Sequence, residues 1–199
     1  MSFHAIRTEI RSNGELDASL DSRASCVDHD ASELNQRVTQ LFEELRDSVY
    51  RYLILVVGGP AEAEEISQEA FLECFRFLQS GQTIQNIRAW IFRVAHNLAI
   101  NQLKSKKYVL TMDSHFWDEL CNLRCDPRPT PEQTVLHEED FRRLHAAMGQ
   151  LSPQQRQCLV LRAEGFRYKQ ISEIMGISDS NVAKSLHRGI KRMMREFRG

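Results

Sequence analysis

The sequence predicts an all-α protein: two small helical domains joined by a flexible linker, the second ending in a helix-turn-helix. Three observations predict it. Apolar residues recur at three- and four-residue intervals through several stretches. Glycine and proline breaks at Gly58-Gly59-Pro60, Ser80-Gly81, Gly165 and Gly176 cut those stretches to helix lengths. Finally, Pro127, Pro129 and Pro131 forbid a continuous helix through residues 111–136. With 199 residues, 42% of them hydrophobic, the chain can bury one medium core or two small ones.

Residues 1–32 lack periodicity and mix Ser, Asp, Arg and Gly, which predicts a mobile N-terminal extension. The first domain, residues 33–110, opens with one long amphipathic helix from Glu33 to Val57, carrying Leu34, Val38, Leu41, Leu45, Val49 and Tyr52 on its apolar side. A second helix, Ala61 to Leu78, sets Ile66, Ala70, Phe71, Cys74, Phe75 and Leu78 against an opposite stripe of Glu62, Glu65, Glu69 and Glu73. A third places Ile87, Trp90, Ile91, Val94, Ala95 and Leu98 inward, with Arg88, Arg93, His96 and Asn97 outside that stripe. Trp90 sits beside basic residues, but its spacing with Ile87, Ile91 and Val94 assigns it to the core rather than to base stacking. Residues 111–136 form the linker.

The second domain, residues 137–199, begins with a helix reaching Met148. Ser152-Pro153-Gln154-Gln155 follows: an N-cap serine, a proline at the first helical position and a glutamine placed to close a capping box. That helix ends at Gly165. Tyr168 to Met175, a turn at Gly176 and a last helix capped by Ser178 complete the chain, with Val182, Leu186, Ile190, Met193 and Phe197 on the last helix's buried stripe.

Charge is distributed in blocks, although the net charge is only -1. Residues 1–75 hold six Lys/Arg against fifteen Asp/Glu, and residues 76–110 hold six basic residues and no acidic one. Residues 111–150 hold four against eight, and residues 151–199 hold ten against four. Two basic blocks separated by an acidic one fit two contacts with a single polyanion, and the acidic N-terminal part fits a different, basic partner.

Residues 168–196 are the strongest local signal. Ile171 and Ile174 close the first helix onto the second, Gly176 permits the turn and Ile177 plugs the junction, which is the spacing of a helix-turn-helix. The second helix then presents Ser180, Asn181, Lys184, Ser185, Arg188, Lys191 and Arg192, polar first and basic later, an order suited to base edges and then phosphates.

The stretch Leu151-Ser-Pro-Gln-Gln-Arg-Gln-Cys-Leu-Val-Leu-Arg-Ala-Glu-Gly-Phe-Arg-Tyr-Lys-Gln-Ile-Ser-Glu-Ile-Met-Gly-Ile-Ser178, with Leu186-His187-Arg188 beyond it, resembles region 4 of bacterial sigma factors of the extracytoplasmic-function group. Ala63-Glu-Glu-Ile-Ser-Gln-Glu-Ala-Phe71 and Arg88-Ala-Trp-Ile-Phe-Arg-Val-Ala-His-Asn-Leu-Ala-Ile-Asn101 resemble that family's region 2. The matches occur in order and correctly spaced over roughly residues 35–110 and 138–197. The resemblance implies that Gln68 and Glu69, with the stripe of Glu62, Glu65 and Glu73, bind core RNA polymerase. It also implies that Asn97 and Asn101 handle a flipped-out base of the -10 element. Arg88, Arg93, Lys104, Lys106 and Lys107 would meet the strand backbone there, and the last helix would read the -35 element. Without the resemblance, an acidic stripe is simply a solvated helix face and an Asn in a helix a cap or surface residue. The chain departs from the family pattern at Lys184, Ser185, Gly189 and Ile190, which bears on -35 preference rather than fold.

The implied function is a sigma factor whose partners are core polymerase, promoter DNA and an anti-sigma factor; no cofactor is implied. The competing readings are a conventional helix-turn-helix regulator acting without polymerase, which predicts a dimer with half-site spacing, and a partner-binding protein that keeps the fold without promoter activity. Nothing nominates an active site: there is no Walker loop, dinucleotide fingerprint, metalloprotease helix or nucleophile elbow. His115, Cys121 and Cys125 make too loose a pattern for a zinc or redox site, so no metal is expected. An odd number of cysteines, five, and the lack of an eighteen-residue apolar run suggest a reducing cytoplasm and no membrane insertion.

Overall fold

The computed structural model describes residues 24–106, 143–144 and 146–198, and every regular element among them is an α-helix. The linker, with His115, Cys121 and Cys125, lies outside the described residues, as do Lys107 at the end of the first domain and most of the N-terminal extension. The first domain is built from α1 (Ala24–Val57), α2 (Pro60–Gln79) and α3 (Ile87–Lys106). The second contains α4 (Pro153–Ala163), α5 (Tyr168–Met175) and α6 (Asp179–Arg198), preceded by helical residues 143–144 and 146–149.

Helix α1 starts nine residues before the expected Glu33. Residues 24–32 hold no Gly or Pro, and a helix already nucleated extends at one hydrogen bond per residue fixed, with or without an apolar stripe. It ends where the sequence says it must: Gly58 takes φ 78° and its N–H bonds Ile54 O at 2.8 Å, a left-handed cap that a Cβ would strain. Gly59 is then the N-cap of α2, with Pro60 in its first turn.

The second domain's caps follow the sequence closely. Ser152 Oγ accepts from the Gln155 N–H at 3.3 Å, while Gln155 Oε1 accepts from the Ser152 N–H at 3.1 Å. Helix α5 stops at Gly176 with φ 64°, and Ser178 Oγ accepts the Asn181 N–H at 3.3 Å to start α6. These two helices and the turn between them make the helix-turn-helix.

One continuous core joins the two domains. In the first, Val49, Leu53 and Val56 of α1 meet Ala63, Ile66 and Phe71 of α2 and Ile91 and Ala95 of α3, all buried. Phe42 and Phe71 meet edge to face with centroids 5.0 Å apart. Trp90 packs against the edge of this core, half-buried, its ring 5.2 Å from Phe77. Every residue from Tyr52 to Val57 is buried. A helical run apolar all round needs cover on both sides, and α4 of the second domain supplies the second side while α5 packs on α3. At that junction Phe92 and Phe166 meet edge to face at 4.9 Å, and Arg88 Nη2 donates to Glu164 Oε2 at 2.9 Å.

Candidate nucleic-acid interface

Helix α3 carries Arg93, Asn97, Asn101 and Lys104 at intervals of four, four and three, and all four are exposed. That spacing puts them along one face. With no acidic residue between positions 76 and 110, the face offers cationic and amide groups only, which suits phosphates and unstacked base edges.

Two residues expected on that face are elsewhere. His96 is 5% exposed, and its Nδ1 and the Tyr52 hydroxyl are hydrogen-bonded at 2.8 Å. Burial pushes the imidazole down to about 4, so at neutral pH it is uncharged. Arg88 is half-buried, bonded to Glu164, with its guanidinium 4.7 Å from the Phe166 ring centroid. In this conformation it belongs to the junction between domains rather than to the exposed DNA-type face. The sequence missed the cause: Phe92, 0% exposed, turns a second side of α3 inward, so its buried arc is wider than one amphipathic stripe.

Helix α6 presents Ser180, Asn181, Lys184, Arg188 and Lys191 to solvent as expected, along with Arg195, which the sequence reading left out. Ser185 must be removed from the base-reading group. It is 8% exposed and its Oγ accepts from Gln154 Nε2 of α4 at 3.0 Å. Ile190 is a second correction, being 47% exposed rather than on the buried stripe. Gly189 takes the inward place instead. A Cβ there would stand 3.0 Å from Leu159 Cδ1, so a side chain at this position would require Leu159 on α4 to shift by a few tenths of an ångström. The buried line therefore runs Val182, Ser185, Leu186, Gly189. Arg192 is exposed, but its Nη1 donates to Gln150 O at 2.6 Å. It holds the end of the preceding helical segment, as basic side chains do at helix C-termini.

The acidic face of α2 is also narrower than the sequence suggests. Glu65 and Glu73 are exposed and Glu62 and Glu69 half-buried. Arg76 donates to Glu69 Oε1 at 3.0 Å and Glu73 Oε1 at 3.4 Å, which partly neutralises the C-terminal end of the stripe. Gln68 is 8% exposed and donates to Glu64 Oε1 at 3.2 Å. The expected pair is thus split, Glu69 outward and Gln68 inward. Among the described residues no His, Cys, Asp and Glu cluster could hold a metal ion, and no helix is long and apolar enough to cross a membrane.

Comparison with known proteins agrees with this geometry in order and position. The family model for Sigma-70 region 2 matches residues 41–108, the helices carrying the acidic and the amide-bearing faces. That for Sigma-70, region 4 matches residues 141–193, the helix-turn-helix included. The ECF RNA polymerase sigma factor BldN of Streptomyces coelicolor is 28% identical over 161 residues, covering 78% of this chain and 58% of its own. The probable RNA polymerase sigma factor RfaY of Xanthomonas campestris is 27% identical, covering 80% of this chain and 40% of its own. The chain therefore spans about half the length of these two relatives, whereas it covers 83% of the 28%-identical ECF sigma factor SigL of Mycobacterium tuberculosis. Among solved structures, the sigma factor RpoE of Bartonella quintana, crystallised with the anti-sigma factor NepR, has the same fold, with a TM-score of 0.59 at 16% identity over 80% of this chain and 96% of that one. The chain belongs to the extracytoplasmic-function (ECF) group of the sigma-70 family of RNA polymerase sigma factors.

Proposed function

We propose that the protein is a promoter-specificity subunit of bacterial RNA polymerase, acting in the cytoplasm and leaving all chemistry to the polymerase. One observation carries the reading: two exposed DNA-type faces, Arg93-Asn97-Asn101-Lys104 on α3 and Ser180-Asn181-Lys184-Arg188-Lys191 on α6, lie in the order of the family's two DNA-contacting regions. The α3 face would hold the -10 element, its amides pairing with an unstacked non-template base and its cations with the strand backbone. The α6 face would enter the major groove of the -35 element N-terminus first, with Lys184 near base edges and Arg188, Lys191 and Arg195 toward the backbone. Core polymerase would bind the outward carboxylates Glu62, Glu65, Glu69 and Glu73 through a basic surface. An anti-sigma factor is the regulatory partner this reading proposes, since RpoE of Bartonella quintana is solved with one.

Transcription with purified core polymerase tests it. The sigma reading expects transcripts from selected promoters only when the protein is added. Specific DNA binding as a dimer, with no transcript, would favour the conventional regulator.

A further inference from the structure

Helix α2 holds five glutamates, Glu62, Glu64, Glu65, Glu69 and Glu73, and a single basic residue, Arg76, in its last turn. By composition it is a one-sided ligand for a cationic partner. The structure arranges it otherwise. Arg76 lies seven residues beyond Glu69 and three beyond Glu73, spacings that set all three on one face. One guanidinium nitrogen, Nη1, donates to Glu69 Oε1 at 3.0 Å and to Glu73 Oε1 at 3.4 Å. The hydrogen bond to Glu69 is the leading cause that holds this guanidinium above its usual pKa. Among the described residues the side-chain hydrogen bonds of Arg76 go to these two carboxylates and nowhere else. At the other end of the stripe the Glu62 carboxylate folds back over Gly59, the N-cap of α2, so closely that a Cβ there would collide with Oε2. The positive end of the helix dipole favours a carboxylate in that place. Three of the four outward carboxylates are thus engaged within the chain.

Folding alone does not account for Arg76. Its side chain is 57% exposed and those of Glu69 and Glu73 are 45% and 49% exposed, and ion pairs standing in water add little to stability. A cation in the last turn suits the helix dipole, a small and local gain. The bonds matter most to a partner that needs the same oxygens. Cationic side chains arriving at Glu69 and Glu73 meet a guanidinium already in place, which either swings out, giving up both bonds, or stays and repels them. Both routes lower the affinity relative to the same face without it. Resting on the reading of α2 as the core-polymerase contact, we propose that Arg76 is an internal competitor for Glu69 and Glu73, one that sets the affinity of the chain for core polymerase below what its carboxylates alone would give. The competition is electrostatic, so it acts chiefly on the association rate. Because all three groups are exposed, it is screened as salt rises.

The test measures association and dissociation of the full chain on immobilised core polymerase at about 0.1 M and about 1 M salt, where the Debye length is about 10 Å and about 3 Å. The proteins are wild type, Arg76→Gln, Glu69→Gln/Glu73→Gln and the triple variant. Arg76→Gln should bind roughly two- to fivefold more tightly at the lower salt, mostly through faster association, and the gain should disappear at the higher salt. Arg76→Ala, which places the strongest helix former there, should behave the same and guards against a loss of helix. With Glu69 and Glu73 both replaced, the same change at Arg76 should bring a clearly smaller gain, since the shared oxygens are gone and only bare repulsion remains. Circular dichroism should show equal helicity throughout. Unchanged or weaker binding by both Arg76 variants overturns the proposal, and so does a gain that is as large without the two glutamates or that persists at high salt. Failure of the underlying reading looks different: Glu69→Lys then binds core as well as wild type does, and α2 is not the contact at all.

Discussion

His96 should make the stability of the first domain depend on pH in the mildly acidic range. In the folded protein its imidazole is 5% exposed, is hydrogen-bonded to the Tyr52 hydroxyl and is lowered by burial from 6.5 to about 4. The unfolded chain therefore binds a proton that the folded chain excludes, so stability is full above the unfolded value and falls as pH drops from about 6.5 toward 4. With those two values the loss at pH 5 is about 2 kcal/mol relative to pH 8. For a chain of this size that corresponds to about 4–8 °C in the melting temperature. His96→Asn keeps an oxygen able to accept from Tyr52 but cannot titrate, so it should flatten the loss between pH 8 and pH 5. Tyr52→Phe should instead lower stability at pH 8 by about 1–3 kcal/mol, by removing the hydrogen-bond partner of the buried imidazole Nδ1. Circular dichroism melts of the three proteins at both pH values provide the assay. A wild type equally stable at pH 5 and pH 8, or a His96→Asn variant that loses as much as wild type, would show the buried-neutral-histidine argument to be wrong.

The remaining predictions concern the proposed interfaces. Alanine at Asn97 or Asn101 should reduce promoter opening, each lost base contact being worth about 1–3 kcal/mol, and normal permanganate reactivity in both variants would remove them from the mechanism. Lys184→Ala should change which -35 sequence is selected from a randomised library, whereas Lys191→Ala should weaken all sequences alike and lower the salt slope by about one unit. Ser185→Ala should leave the preference unchanged, since Ser185 is turned toward Gln154; an altered preference would restore it to the reading face. Glu69→Lys should weaken binding to core polymerase in a titration while the helical circular dichroism signal stays the same, and undiminished affinity would dissociate α2 from that contact.

The sequence by itself determined the helices' existence, most of their ends and the family. Ser152-Pro153-Gln155, Gly58 and Gly176 settle their neighbourhoods because caps and left-handed turns close hydrogen bonds within three or four residues, so the deciding atoms are adjacent in the chain. The exposed faces at Arg93, Asn97 and Lys184 were legible for a related reason, lying opposite a single apolar stripe. Tertiary structure alone decided the rest. Gln68, His96 and Ser185 are polar yet turn inward, and Ile190 is apolar yet turns outward. The arc a helix buries depends on what packs against it, and one stripe's periodicity does not reveal a second neighbour. Closure of the two domains was equally hidden, since Arg88 and Glu164 are 76 positions apart and each looks like an ordinary surface charge in its own helix. Only the packing of α3 against α5 and of α1 against α4 brings that carboxylate between two guanidinium groups.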